Sequence, residues 1–80
     1  MLTTGSQLKA ARALAQVNQK ALAKDAGVNV NTIRAMEGRR GQTLTSSLET
    51  IRRVQGALEK LGIEFLNHDE PGVRLRKQSN

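Results

Sequence analysis

Twenty residues, Asn18 to Glu37 (N-Q-K-A-L-A-K-D-A-G-V-N-V-N-T-I-R-A-M-E), constrain this chain more than any other stretch. They predict two short helices joined by a turn at Gly27. Leu22, Ala23, Ala26, Val28, Ile33 and Met36 fall where such a pair would touch. Polar residues open the second helix, and the cations Arg39 and Arg40 follow it. A helix offered to a nucleic-acid groove needs this combination: a buried back, an uncharged polar tip and cations beside it.

The rest of the 80-residue chain must support that pair as one small domain. With a single Phe and no Trp or Tyr, the core is built from Ala, Leu, Ile and Val. Its yield is modest, and burial against a second chain would help. Without cysteine there is no disulfide, thiolate zinc site or thiol nucleophile. No apolar run reaches membrane-spanning length and the N-terminus lacks a signal-peptide pattern, so a soluble cytoplasmic protein with no membrane partner is expected. The net charge of +6 is unevenly placed. Up to Thr45 seven Lys/Arg stand against two acids, and from Ser46 onward six stand against five. The cationic half is the half that would meet a polyanion.

Taken in order, the pattern predicts a first helix over about 6–15, capped by Thr4 or Ser6, with Leu8, Ala11, Leu14 and Ala15 at helical spacing. Gln16 and Val17 link it to a second helix over about 19–26, capped by Asn18 and closed by Gly27 in a left-handed conformation. Asn29 caps the third helix, about 30–37, which Gly38 is expected to end in the same manner. Gly38 to Thr45 reads as a turn-rich, basic connection. A capping box of Ser46 and Glu49 then opens the fourth helix, whose apolar stripe is Leu48, Ile51, Val54, Leu58 and Leu61, closed by Gly62. Gly56 lies off that stripe.

Beyond Gly62 the period changes from helix to strand. Ile63 and Phe65, then Val73 and Leu75, alternate with polar neighbours across the turn residues Asn67 to Gly72, which predicts a β-hairpin. An isolated hairpin is marginal in water and must lean on the helices or on another chain. The expected organisation is therefore a helical DNA-binding domain over 1–62 and a hairpin and tail over 63–80, with a frayed end at Gln78 to Asn80. The fold class is mostly α: four helices with a C-terminal β-hairpin.

In Val17-Asn18-Gln19, Leu22-Ala23, Ala26-Gly27-Val28, Thr32-Ile33 and Met36-Glu37 the chain resembles the Cro and phage-repressor type of helix-turn-helix DNA-binding domain, also called the xenobiotic-response-element family. The resemblance covers about Leu8 to Leu61 and implies roles residue by residue. Gln19 would contact the phosphate backbone, with a base contact left open, and Asn29 and Thr32 would contact the backbone. Asn31 suits a bidentate contact with adenine in the major groove, and Val30 suits a thymine methyl. Ala35 stands where relatives often carry a longer polar reader, which points to apolar contact or none. Arg34 suits a phosphate or a guanine, and the sequence leaves the two open. Arg39 and Arg40 would grip flanking phosphates. The resemblance also implies a partly buried ion pair between Arg12 and Glu37, tying the first helix to the third.

Other readings are weaker. Gly38-Arg39-Arg40-Gly41 matches the GxxG loop of KH modules, but no strand precedes it and the aromatic platforms for splayed bases are missing. Arg52-Arg53 and Arg74-Arg76-Lys77 read as ordinary charge runs first and phosphate contacts second, and those on the exposed strand would discourage sheet aggregation. His68 stands alone, without a second His or any Cys, so no metal is expected. Asp69 and Glu70 are adjacent in a loop without a pocket to perturb either one, and no nucleophile–base arrangement is legible. The expectation is a non-enzymatic transcriptional regulator of double-stranded DNA, with no cofactor and no small-molecule ligand. One recognition helix reads few base pairs, so a homodimer on an inverted repeat is expected, with half-sites about 34 Å apart. Its surface would be the fourth helix or the hairpin residues Ile63, Phe65, Val73 and Leu75. The competing reading is a protein-interaction module on the same fold, such as an antitoxin or anti-activator.

Overall fold

Each helix starts at a side chain that accepts from a backbone N–H left open by the first turn. Thr4 accepts from Gln7 N ahead of α1 (Gly5–Ala15), and Asn18 accepts from Ala21 N ahead of α2 (Gln19–Ala26). Asn29 accepts from Asn31 N ahead of α3 (Val30–Gly38), and Ser47 accepts from Thr50 N ahead of α4 (Leu48–Glu59). Two antiparallel strands follow, β1 (Ile63–Leu66) and β2 (Gly72–Leu75). The computed structural model describes residues 1–67 and 69–76. The expectations for His68, for the cation Lys77 and for a frayed end at 78–80 lie outside the described residues.

Four local expectations are corrected. Gly38 does not end α3 in a left-handed turn; it is the last helical residue, Arg39 remains right-handed, and Arg40 takes the positive φ of 54°. The reversal falls at Arg40 because its carbonyl accepts from Ser6 N at 2.7 Å, a partner supplied by α1. Ser47, not Ser46, caps α4, so the reciprocal Ser46–Glu49 box does not form. Glu49 instead meets Arg53 at 3.4 Å, one turn along. With that cap the inward stripe is Ile51, Val54, Ala57 and Leu58, while Leu48 is exposed and Leu61 half-buried. On α1, likewise, Leu8 and Ala11 are buried but Leu14 is exposed.

One apolar cluster joins all of these elements. Leu8, Leu22, Ile33, Met36, Val54, Leu58 and Ile63 are fully buried in it, each worth roughly 1.5–3 kcal/mol of transfer free energy. Leu2 and Leu44 belong to the same cluster. The residues before α1 are held by Leu2 N donating to Gln55 Oε1 at 2.9 Å and by Leu44 N donating to Thr3 O at 2.8 Å. Ile63 shares the cluster with the helices, so the change of period at Gly62 marks a new element and not a second core.

The hairpin register pairs Ile63 with Leu75 and Phe65 with Val73. On the opposite face Glu64 accepts from Arg74 at 3.0–3.1 Å and lies 3.5 Å from Arg76. The sheet leans on α1, where the buried Gln7 donates through Nε2 to Asn67 Oδ1 and to Gly72 O, both at 3.0 Å. No helix among the described residues is long and apolar enough to cross a membrane.

Candidate nucleic-acid interface

The C-terminal end of α3 is clamped. Glu37 accepts from Arg12 Nε at 2.7 Å, Arg12 Nη2 at 3.1 Å and Gln19 Nε2 at 3.2 Å. Arg12 Nη1 also donates to Val17 O, so one guanidinium ties the end of α1, the following link and α3 together. The Glu37 side chain keeps only 7% of its surface exposed, so its charge is neutralised where it stands. Burial of this kind makes the pair a geometric constraint first and a source of stability second. Its hydrogen bond to Glu37 raises the Arg12 pKa above the ordinary guanidinium range; partial burial opposes that rise, and the Glu37 charge reinforces it. A raised base contributes stability below its unfolded pKa and loses it only as pH climbs through the folded one. For an arginine that window lies beyond working pH, so the Arg12 side of the pair is constant under ordinary conditions.

A second constraint lies beside it. A Cβ on Gly5 would collide with Met36 O and stand 2.7 Å from Arg40 N and 2.9 Å from Glu37 O. Only glycine lets the start of α1 approach the backbone at the end of α3 this closely. Gly5 and Gln7 were both missed as determinants in the sequence. For Gly5 the sole signal is a glycine directly after the cap Thr4, which local pattern reads as an ordinary helix start.

The N-terminal end of α3 is open. Asn29, Asn31, Arg34 and Ala35 are exposed, while Val30 and Thr32 are half-buried. Asn29 spends its side-chain oxygen on Asn31 N at 2.7 Å, and Arg34 Nη1 donates to Asn31 Oδ1 at 3.0 Å. No carboxylate lies within α3 apart from the neutralised Glu37. The tip is therefore polar, uncharged at its first two turns except for Arg34, and rich in N–H donors.

In the second half, Arg53 meets Glu49, and Arg74 and Arg76 meet Glu64, while Arg52 and Lys60 form no ion pair with a described carboxylate. In the first half only Arg12 is paired; Lys9, Lys20, Lys24, Arg34, Arg39 and Arg40 form no ion pair with a described carboxylate. Arg40 is exposed, whereas Arg39 is half-buried and spends Nε on Thr43 O at 3.1 Å. An oligoanion would thus meet unneutralised charge around α2 and α3.

No family model and no curated protein matches this chain. Of the residues assigned from sequence, the structure groups Asn29, Val30, Asn31, Thr32, Arg34 and Ala35 on one helix, with Gln19 and Glu37 joined at its other end. The hairpin set is not equivalent throughout. Ile63 is 2% exposed in the chain's own core and has no surface to give a partner, Phe65 and Val73 are half-buried, and Leu75 is 49% exposed. An open cleft between the start of α1 and the hairpin is lined by Ser6, Gln7, Ala10, Glu70 and Val73, among others. No group of three His, Asp or Glu among those residues is placed to hold a metal ion.

Proposed function

We propose that the chain is a sequence-specific binder of double-stranded DNA that regulates transcription, with α2 and α3 acting as a helix-turn-helix of the Cro and phage-repressor type. One observation carries the reading. The exposed, donor-rich tip of α3 projects from a clamped base, on a helix pair whose cations Lys20, Lys24 and Arg34 form no ion pair with a described carboxylate. Such a helix supplies base contacts at its tip, while the surrounding cations engage phosphates and set register. Val30, Asn31, Arg34 and Ala35 face the base edges in this reading. Gln19, Asn29, Thr32, Arg39 and Arg40 hold the backbone, Gln19 through the Oε1 that its bond to Glu37 leaves unused.

Two copies on an inverted repeat would double the contacts and raise specificity to a useful level. Leu14 and Leu75 sit on two elements that pack together, and both stay exposed. Met1 and, on α4, Leu48 are the other exposed large apolar side chains; Leu75→Asp should lower the sedimentation coefficient if a second copy covers the hairpin.

Binding of mixed-sequence duplex DNA, followed by anisotropy across a salt series, tests the function. Affinity should fall linearly on a log–log plot as counterions return to the DNA. Arg40→Gln, which removes a charge and keeps a long side chain at the left-handed position, should reduce the slope by about one. A chain that retains no duplex at about 100 mM salt would contradict the reading.

A further inference from the structure

We infer that the tip of α3 reads guanine, with Asn31 and Arg34 acting as a single donor pair. The inference rests on the DNA-binding reading above and names the base that this surface would select. A free asparagine presents one acceptor and one donor, which match the N6 and N7 edge of adenine. Asn31 is not free in that sense. Arg34, three residues on and on the same helical face, donates from Nη1 to Asn31 Oδ1 at 3.0 Å. A guanidinium has no acceptor, so chemistry alone requires the amide oxygen to face Arg34 and the amide nitrogen to face away.

The groups left for an outside partner are Asn31 Nδ2 and the remaining guanidinium N–H groups, all of them donors. Oδ1 keeps a second lone pair, but an adenine amino group placed on it would abut the guanidinium, donor against donor. Guanine offers two adjacent acceptors, O6 and N7, and no major-groove donor. The acceptor beside it is also committed: Asn29 Oδ1 is held by Asn31 N, and the one carboxylate of α3, Glu37, stands at the far end, held by Arg12 and Gln19. Ala35, exposed and one turn beyond Asn31, adds no competing polar group. Amino groups of adenine or cytosine would therefore meet a surface of donors, and guanine would meet complementary partners.

In vitro selection from a randomised duplex library, using the full chain and Arg34→Met, tests the pairing. The methionine keeps much of the side-chain length and removes every donor. The unaltered chain should enrich guanine at one position of each half-site, by about tenfold over adenine. Arg34→Met should move the preference at that position to adenine, because Asn31 Oδ1 is released. Selection of adenine by the unaltered chain, or an Arg34→Met variant that fails to gain adenine, overturns the inference and leaves DNA binding intact. Recovery of no preferred sequence by the unaltered chain overturns sequence-specific reading as well.

Discussion

The two ends of α3 are built on opposite terms. At the C-terminal end a carboxylate is buried under three donors, a glycine from α1 approaches backbone to backbone, and Ser6 N holds the carbonyl of Arg40. At the N-terminal end Asn29, Asn31 and Arg34 are exposed, and their bonds stay within the helix: Asn29 caps Asn31 N, and Arg34 donates to Asn31. The contrast teaches how a nine-residue helix, too short to be stable alone, can present a reading surface. Tertiary contacts fix its direction at one end, so the ordering cost is met before any ligand arrives. At the other end Asn29 caps the helix and Val30 touches the core, which leaves Asn31, Arg34 and Ala35 exposed. On the proposed function, stability and recognition would then depend on different residues of the same helix.

The largest test of that separation is Arg12→Ala. It leaves Glu37 buried with a single donor, Gln19, and should cost about 3–5 kcal/mol in chemical denaturation. A loss below about 1 kcal/mol, typical of an exposed pair, would show that the clamp is not the anchor. Next in size is Gly5→Ala, where the added methyl collides with the carbonyl of Met36. Overpacking against rigid backbone should cost about 1–3 kcal/mol, and an unchanged midpoint would mean that the two helices separate at no cost. Asn31→Ala should act in the reverse sense. Duplex affinity should fall by about 1–3 kcal/mol at one base pair, with unfolding changed by less than about 0.5 kcal/mol. Equal weakening on all sequences would remove Asn31 from the reading surface.

The smallest effect is a gain. Gln16 closes α1 at a φ of 58°, a conformation that a side chain disfavours and glycine accepts freely. Gln16→Gly should stabilise the fold by up to about 1 kcal/mol without altering DNA affinity. A change in affinity would mean that strain at the α1–α2 link reaches the tip, against the separation described above.

Legibility in the sequence followed how local the determining contacts are. Asn18, Gly27 and Asn29 act within a few residues of themselves, and their caps and turn were readable directly. At Ser46-Ser47 two adjacent residues could cap, and tertiary packing of Ile51, Val54 and Leu58 chose the second. The end of α3 was misplaced because the contact that sets it, Ser6 N to Arg40 O, spans most of the first half of the chain. Gly5 and Gln7 were invisible for the same reason; their partners are the end of α3 and the hairpin. Hairpin strands were readable from alternation, but alternation does not say how deeply each side chain sits. Ile63 and Leu75 are register partners with 2% and 49% exposure. For the candidate site, the polar tip was legible as a set of residues. The bond between Arg34 and Asn31 was not, since helical spacing makes it available without requiring it.

The central claim is that duplex DNA meets the open end of α3. Titrating isotope-labelled protein with mixed-sequence duplex, and following the side-chain amides of Asn29 and Asn31 together with the Arg34 guanidinium, tests it most directly. These signals should move first and furthest, while the Gln7 amide beneath the hairpin stays in place. Shifts concentrated on α4 or on β2, with Asn31 and Arg34 unmoved, would contradict it.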